Sequence, residues 1–233
     1  MAGGGEQMVV IAIDGPSGSG KSSASRAVAA FFHWEYLDTG ALYRVLTLFA
    51  IERDLQDFSL IPELLTSDSI VWKGSPEEPQ LLLEGREVNS EIRSERVTKQ
   101  VSEVAADPNV RKFLLTLQRA IINQARFGIV VEGRDIGTTV WPDAELKIFL
   151  TADLIARAER RNAELSSHFT NKEIQDALAA RDVVDSNRST SPLRQIDEQI
   201  IIDATHLSLE EVVREIKRLV IELELNGDGE PRE

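Results

Sequence analysis

Four short apolar runs punctuate the chain: Val9 to Ile13, Gly128 to Val131, Leu146 to Leu150 and Ile200 to Asp203. Runs of this length that are nearly all apolar predict strands buried on both faces of a sheet. Trp34 to Leu37, ahead of the turn-like Asp38-Thr39-Gly40, is a weaker fifth candidate. Between the runs the spacing changes. Val110, Phe113, Leu114, Leu117 and Ile121, and later Val212, Val213, Ile216, Leu219 and Val220, recur at helical intervals. Thr170 with Glu173 and Ser208 with Glu211 form capping boxes, in which the hydroxyl accepts from a free N–H of the first turn. Strands alternating with helices predict parallel pairing and a doubly wound α/β sheet.

One region breaks the alternation. Ser69 to Asn89 holds Ile70-Val71-Trp72, Leu81 to Leu83 and Glu87-Val88, separated by Gly74, Pro76, Pro79 and Gly85. Short β-rich pieces between turn residues predict two or three antiparallel strands, a small insert over about residues 65–95. The rest reads as one domain over residues 8–225. Residues 1–7 and 226–233 are Gly-rich or polar and are expected to be disordered.

Composition narrows the chemistry. The 233 residues are 42% apolar and 28% charged, as in an ordinary globular protein. With no cysteine, disulfides, thiolate metal sites and cysteine nucleophiles are excluded, and a reducing cytosol fits. The apolar run from Met8 stops at Asp14, too short for a signal sequence or a membrane span, so a cytoplasmic protein is expected. A net charge of −13 argues against a nucleic-acid partner, which needs concentrated positive charge. A small phosphorylated ligand needs only a local cluster. Arg157, Arg160 and Arg161, then Arg181, Arg188 and Arg194, provide candidates, although solvated helix faces are the plainer account of such clusters.

Gly15-Pro16-Ser17-Gly18-Ser19-Gly20-Lys21-Ser22 matches G-x-x-x-x-G-K-[ST] at every fixed position, after one predicted strand and before a helix carrying Ala24, Ala27, Val28 and Phe31. Such a P-loop curls its N–H groups around phosphate oxygens, and Ser23 continues the same first turn of the helix. Lys21 would reach the outer phosphates of ATP, and the Ser22 hydroxyl would ligate Mg²⁺. Asp14, at the strand end, could hold a magnesium-bound water or be a plain turn residue. Glu132 ends another buried strand, as an acid beside a nucleotide metal would.

Three further segments place arginine near a carboxylate or hydroxyl at a predicted element end: Asp38 to Arg44, Glu132 to Gly137, and Arg181 to Arg188. Together with Gly15-Pro16-Ser17-Gly18 they closely resemble the bacterial cytidylate kinase family, from about Val9 to Leu219. The resemblance implies a P-loop kinase fold with a five-stranded parallel sheet, and transfer of the γ-phosphoryl group of ATP to CMP or dCMP. It implies that Arg44 and Arg134 clamp the acceptor phosphate, with Thr39 lining the same pocket. Ser102, Arg111 and Asp135 resemble the cytosine-reading residues, and Arg181, Asp185 and Arg188 those that hold the sugar and phosphate. Arg157, Arg160 and Arg161 fall in the family's mobile lid, here about residues 151–168. Lys21, Arg134, Arg157, Arg161 and Arg188 would then serve the transfer itself. Glu132 and Thr39 stand where the family often has Asp and Ser, changes that keep the charge and the hydroxyl.

The chemistry of the acceptor is consistent with this. Cytosine presents an amino donor and ring acceptors, so its reader needs both a carboxylate or hydroxyl and an arginine. Two other readings remain at this point. A kinase acting on an alcohol would need a base, for which Asp38 or Asp135 could serve. A nucleotide-dependent switch would bind partners and transfer nothing. A monomer is expected.

Overall fold

The computed structural model describes residues 8–165, 170–188 and 190–227; of the ends expected to be disordered, 1–7 and 228–233 lie outside the described residues, while 226 and 227 continue the last helix. Five strands, β1 (Val9–Asp14), β2 (Glu35–Asp38), β6 (Gly128–Gly133), β7 (Leu146–Thr151) and β8 (Ile200–Asp203), form one parallel sheet in the order β2-β6-β1-β7-β8. Its apolar runs carry two faces. Val10, Ala12, Leu37, Ile129 and Val131 point to one core, and Ile11, Ile13, Tyr36, Val130, Ile148 and Leu150 to the other, as the two-residue period of a strand requires.

Among the described residues eight α-helices cover these faces and the sheet's ends. α1 (Lys21–Phe32) and α8 (Leu209–Gly227) close the second core through Ala24, Val28, Val212, Ile216 and Val220. α2 (Thr39–Glu52), the short α3 (Ile61–Leu64), α4 (Glu95–Val104) and α5 (Pro108–Ile122) close the first. α6 (Leu154–Leu165) and α7 (Asn171–Asn187) pack on each other through a separate small cluster of Ala158, Ile174, Leu178 and Leu154. Both capping boxes form. Thr170 accepts from the Glu173 N–H while the Thr170 N–H donates to Glu173, and Ser208 and Glu211 do the same at α8.

Two details depart from the sequence reading. β8 is an edge strand, with Ile202 buried but Ile200 and Ile201 exposed, because among the described residues no strand lies beyond it. The insert, β3 (Ile70–Gly74), β4 (Pro79–Leu83) and β5 (Arg86–Glu87), is antiparallel as expected. It has no core of its own: Ile70, Leu81 and Leu83 belong to the same cluster as Phe49 and Ile61. Trp72 of β3 fastens it further, its indole N–H donating to the Tyr36 carbonyl at 2.6 Å.

β1 lies between β6 and β7, so the chain leaving β1 emerges where the sheet's connections diverge. In open parallel sheets that crevice, beyond the carboxyl ends of the strands, is where ligands bind. Among the described residues no helix is long and apolar enough to cross a membrane.

Candidate active site

The loop from Gly15 to Ser22 fills that crevice. Gly15 has φ of 149°, and a Cβ there would lie 2.0 Å from the Leu150 carbonyl oxygen, so the loop can cross the end of β7 only with glycine. Gly20, left-handed at φ 93°, is the N-cap of α1 and offers no side-chain cap. The first-turn N–H groups of α1 are therefore not capped by a side chain at Gly20, the arrangement that binds anions at helix starts. Lys21 is buried and donates to the Pro16 carbonyl at 2.7 Å and the Ser19 hydroxyl at 3.4 Å. Burial, then the neighbouring Arg134, hold its ammonium well below the usual lysine range, while Glu132, Asp14 and Asp38 pull back.

Three carboxylates stand behind the loop. Burial, reinforced by Asp38, pushes Glu132 well up from the ordinary carboxylate range. Lys21 and hydrogen bonds with Tyr36 and Ser22 oppose that shift. The Tyr36 hydroxyl donates to Glu132 Oε1. Asp38 caps α2 by accepting from the Ala41 N–H at 3.0 Å. Asp14 accepts from the Ile136 N–H at 2.7 Å, the Gly137 N–H at 2.9 Å and Gln199 at 3.2 Å, which anchors the π-type turn Ile136–Val140. Both of its oxygens are thus engaged by protein, and burial lifts it to about 6. Of the two strand-end acids, Glu132 is the one beside Ser22. Among the described residues no group of three or more His, Asp or Glu is arranged to hold a metal. A cation here would take most of its ligands from phosphate and water, and Ser22 and Glu132 supply hard oxygen donors that suit Mg²⁺.

The arginines converge from three elements. Arg134, directly after β6, donates through Nε to Asp185 of α7 at 2.8 Å. Arg188, just past the end of α7, comes within 3.9 Å of the same carboxylate. Burial lowers Arg181 to about 10, with Arg134 as the next cause and Arg161 contributing. Arg44, on α2, is likewise lowered to about 10 by burial and then by Arg181, and donates to the Ile92 carbonyl and the Thr98 hydroxyl. Burial alone would raise Asp185, but Arg134, Arg188 and Arg181 bring it below its ordinary value. Arg181 Nε and Arg188 Nη2 are buried without a hydrogen-bond partner among the described residues. Buried guanidinium groups that outnumber their carboxylate, two of them with a nitrogen that has no partner among the described residues, mark a place built for an anion.

Beside this cluster Arg111 of α5 and Asp135 make a buried ion pair at 2.6 Å, with side chains 6% and 7% exposed. The Arg111 guanidinium also donates to the Ala105 carbonyl and stands 5.4 Å from the centre of the Tyr43 ring. Tyr43, which the sequence reading passed over, is held by Gln118 and by burial that lifts its phenol to about 12. Its only sequence signal is its place next to Arg44. Ser102 sits half-buried on the flank of α4, and makes no hydrogen bond to this pair. Thr39 is buried, and its hydroxyl donates to the Glu132 carbonyl at 2.7 Å.

α6 lies against the loop from the other side. Arg157 donates to the Ser17 carbonyl at 3.1 Å and to Asp182 at 2.6 Å. Arg160 reaches the Ser19 carbonyl at 3.5 Å and the Ala204 and Leu207 carbonyls. Arg161 contributes to the field at Arg44 and Arg181. The last part of the expected lid, residues 166–168, lies outside the described residues. Asp182 gave no signal in the sequence, because its partner is 25 positions away on another helix.

Residues 11–222 match the family model described as cytidylate kinase. The cytidylate kinase of Streptomyces avermitilis is 46% identical over 92% of this chain and 93% of its own length. That of Rhodococcus jostii is 43% identical over 95% and 98%. Among solved structures, an uncharacterised protein from Eubacterium ventriosum shares the fold, with a TM-score of 0.52 at 11% identity over 93% of this chain and 99% of its own. A loop, an arginine cluster and an Arg–Asp pair in this order, matched across almost the whole chain, leave one assignment: the chain belongs to the cytidylate kinase family.

Proposed function

We propose that the protein transfers the γ-phosphoryl group of ATP to CMP, and to dCMP, giving ADP and the cytidine diphosphate. The observation that carries this reading is the anion-deficient cluster of Arg44, Arg134, Arg181 and Arg188, next to the phosphate loop and beside the buried Arg111–Asp135 pair.

The monoester of CMP has a second pKa of about 6, so its attacking oxygen is already ionised at neutral pH. No general base is needed. That oxygen forms the new P–O bond as the bond from the γ-phosphorus to the bridging oxygen breaks, and ADP leaves with the electron pair. The task left to the protein is to hold two polyanions together and to stabilise charge on the transferring group. Backbone N–H groups of residues 15–22 and Lys21 hold the donor, and Arg44, Arg134, Arg181 and Arg188 hold the acceptor phosphate. Arg157 and Arg161 complete the charge around the transferring group. Ser22 and Glu132 would hold Mg²⁺ brought with ATP, which would supply further neutralisation of the phosphates. Asp135 and Arg111 offer cytosine an acceptor and a donor, with Ser102 beside them. Closure of α6 over both substrates excludes water, which would otherwise compete as acceptor. All these groups come from one chain, which fits a monomer working in the cytoplasm.

An alcohol acceptor is less well served. Asp38 is occupied as a helix cap and Asp135 is paired with Arg111, so neither stands ready as a base. The test is ADP release from Mg·ATP with CMP, dCMP, UMP, AMP, GMP and shikimate. CMP and dCMP should give the highest kcat/KM, and turnover with shikimate alone would refute the reading.

A further inference from the structure

α7 touches both halves of the site. Arg181, Asp185 and Arg188 are spaced i, i+4 and i+7, so one face of the helix and its end carry the acceptor arginines and their carboxylate. Asp182 is one residue on, about 100° round the helix. From there its Oδ2 accepts from Arg157 at 2.6 Å, and the same guanidinium donates to the Ser17 carbonyl inside the phosphate loop at 3.1 Å. Arg157 is fixed from behind by its Nε bond to the Ala152 carbonyl at 3.0 Å. The loop has no slack at this point: a Cβ on Gly18 would lie 3.1 Å from the Arg157 carbonyl oxygen. A continuous path of charge-assisted hydrogen bonds therefore runs from the loop through Arg157 and Asp182 into α7. From α7 it continues through Asp185 to Arg134 at 2.8 Å.

We infer that Asp182 is the positioning residue that couples the two substrate sites, so that occupancy of the acceptor cluster tightens the phosphate loop on the donor, and the reverse. The inference rests on the reading that these sites take CMP and ATP. An acceptor phosphate pulls on Arg181 and Arg188, which belong to the same stiff helix and its end. Any shift of that helix carries Asp182, and Asp182 carries the guanidinium that holds Ser17. Buried atoms without partners lie along the path, Arg181 Nε, Asp182 Oδ1 and Arg188 Nη2, where a small movement can find bonds that the unliganded arrangement lacks. Coupling between sites is reciprocal in binding free energy, so each ligand must tighten the other by the same factor.

The experiment is calorimetric titration of the full chain with CMP and with a non-hydrolysable ATP analogue plus Mg²⁺, each alone and each at saturation of the other. The unaltered protein should show mutual tightening of roughly fivefold or more, the usual lower bound for coupled sites. Asp182→Asn should reduce that factor to below about twofold, taken as loss of the coupling energy. Its affinity for CMP alone should change by less than the coupling factor, since the hydrogen bond of Asp182 goes to Arg157 and its charge is only the weakest of the influences on Arg181. Asp182→Glu, which keeps the carboxylate, should restore most of the effect. Should Asp182→Asn fail to fold by circular dichroism, Arg157→Lys, which removes the planar fork, should show the same loss. Full coupling in either folded variant, or independent binding in the unaltered protein, overturns the inference while leaving the functional reading in place. Failure of CMP to bind at all overturns both.

Discussion

Asp135→Asn tests the acceptor site where its energetics are most exposed to measurement. The substitution keeps the shape of the side chain but removes the charge opposite Arg111, in a pair whose two side chains are 6% and 7% exposed. Removing one partner of such a pair leaves a buried charge uncompensated and costs about 3–5 kcal/mol. Arg111 keeps its bond to the Ala105 carbonyl at 3.2 Å and its position 5.4 Å from the Tyr43 ring. These contacts are the same before and after the substitution, so the expected loss stays at about 3–5 kcal/mol. For a chain of this size that corresponds to a fall in Tm of roughly 6–20 °C, at about 2–4 °C per kcal/mol. Urea unfolding should show a lower midpoint at unchanged slope. The ratio of kcat/KM for CMP over UMP should fall by at least tenfold, about 1.4 kcal/mol of lost discrimination. Replacing both partners, Arg111→Met with Asp135→Leu, should recover much of the stability and none of the selectivity. A variant whose Tm and CMP preference both match the unaltered protein would refute the reasoning.

Three further outcomes follow from the geometry. Gly15→Ala drives a Cβ to 2.0 Å from the Leu150 carbonyl, so it should lose ATP binding or fail to accumulate folded, as read by titration and circular dichroism. Lys21→Met removes a buried, desolvated charge while keeping the length of the side chain. Turnover should drop by roughly 10²–10³, the usual loss for one preorganised charge-stabilising donor, with Tm unchanged or higher. Asp185 is the pH probe. Burial opposes its charge, but Arg134, Arg188 and Arg181 hold it below its ordinary value of 3.8. A depressed folded pKa contributes stability that is present above that value and lost as pH falls through the folded one. The stability gap between the unaltered protein and Asp185→Asn should therefore be full at pH 6 and narrow below about pH 4, measured by denaturant midpoints.

The parts of this protein that depend on local chemistry could be found in the chain alone. Five strands, two capping boxes and the loop from Gly15 to Ser22 follow from apolar runs, hydroxyl-carboxylate spacing and glycine placement, each set by residues close in sequence. The insert from Ile70 to Glu87 was visible as strands, but its lack of a separate core was not. Which apolar residues share a core depends on how α2 and α5 pack, not on their own pattern. The same holds for Ile200 and Ile201, whose composition suits a buried strand and whose exposure reflects an edge position.

At the site the division is sharper. The motif proposes roles for Lys21 and Ser22, and the family resemblance proposes them for Arg44, Arg134, Asp135, Arg181, Asp185 and Arg188. Asp14 and Glu132 end neighbouring strands, with Asp14 just ahead of the loop and Glu132 on the facing strand, and looked alike. Only the turn at Ile136 and Gly137, which takes both oxygens of Asp14, and the approach of Tyr36 and Ser22 to Glu132 distinguish them. Asp182, Tyr36 and Tyr43 act on partners 25 or more positions away. Their roles arise because α7, β2 and α2 converge on one cleft, and long-range convergence leaves no periodicity in a sequence for spacing to reveal.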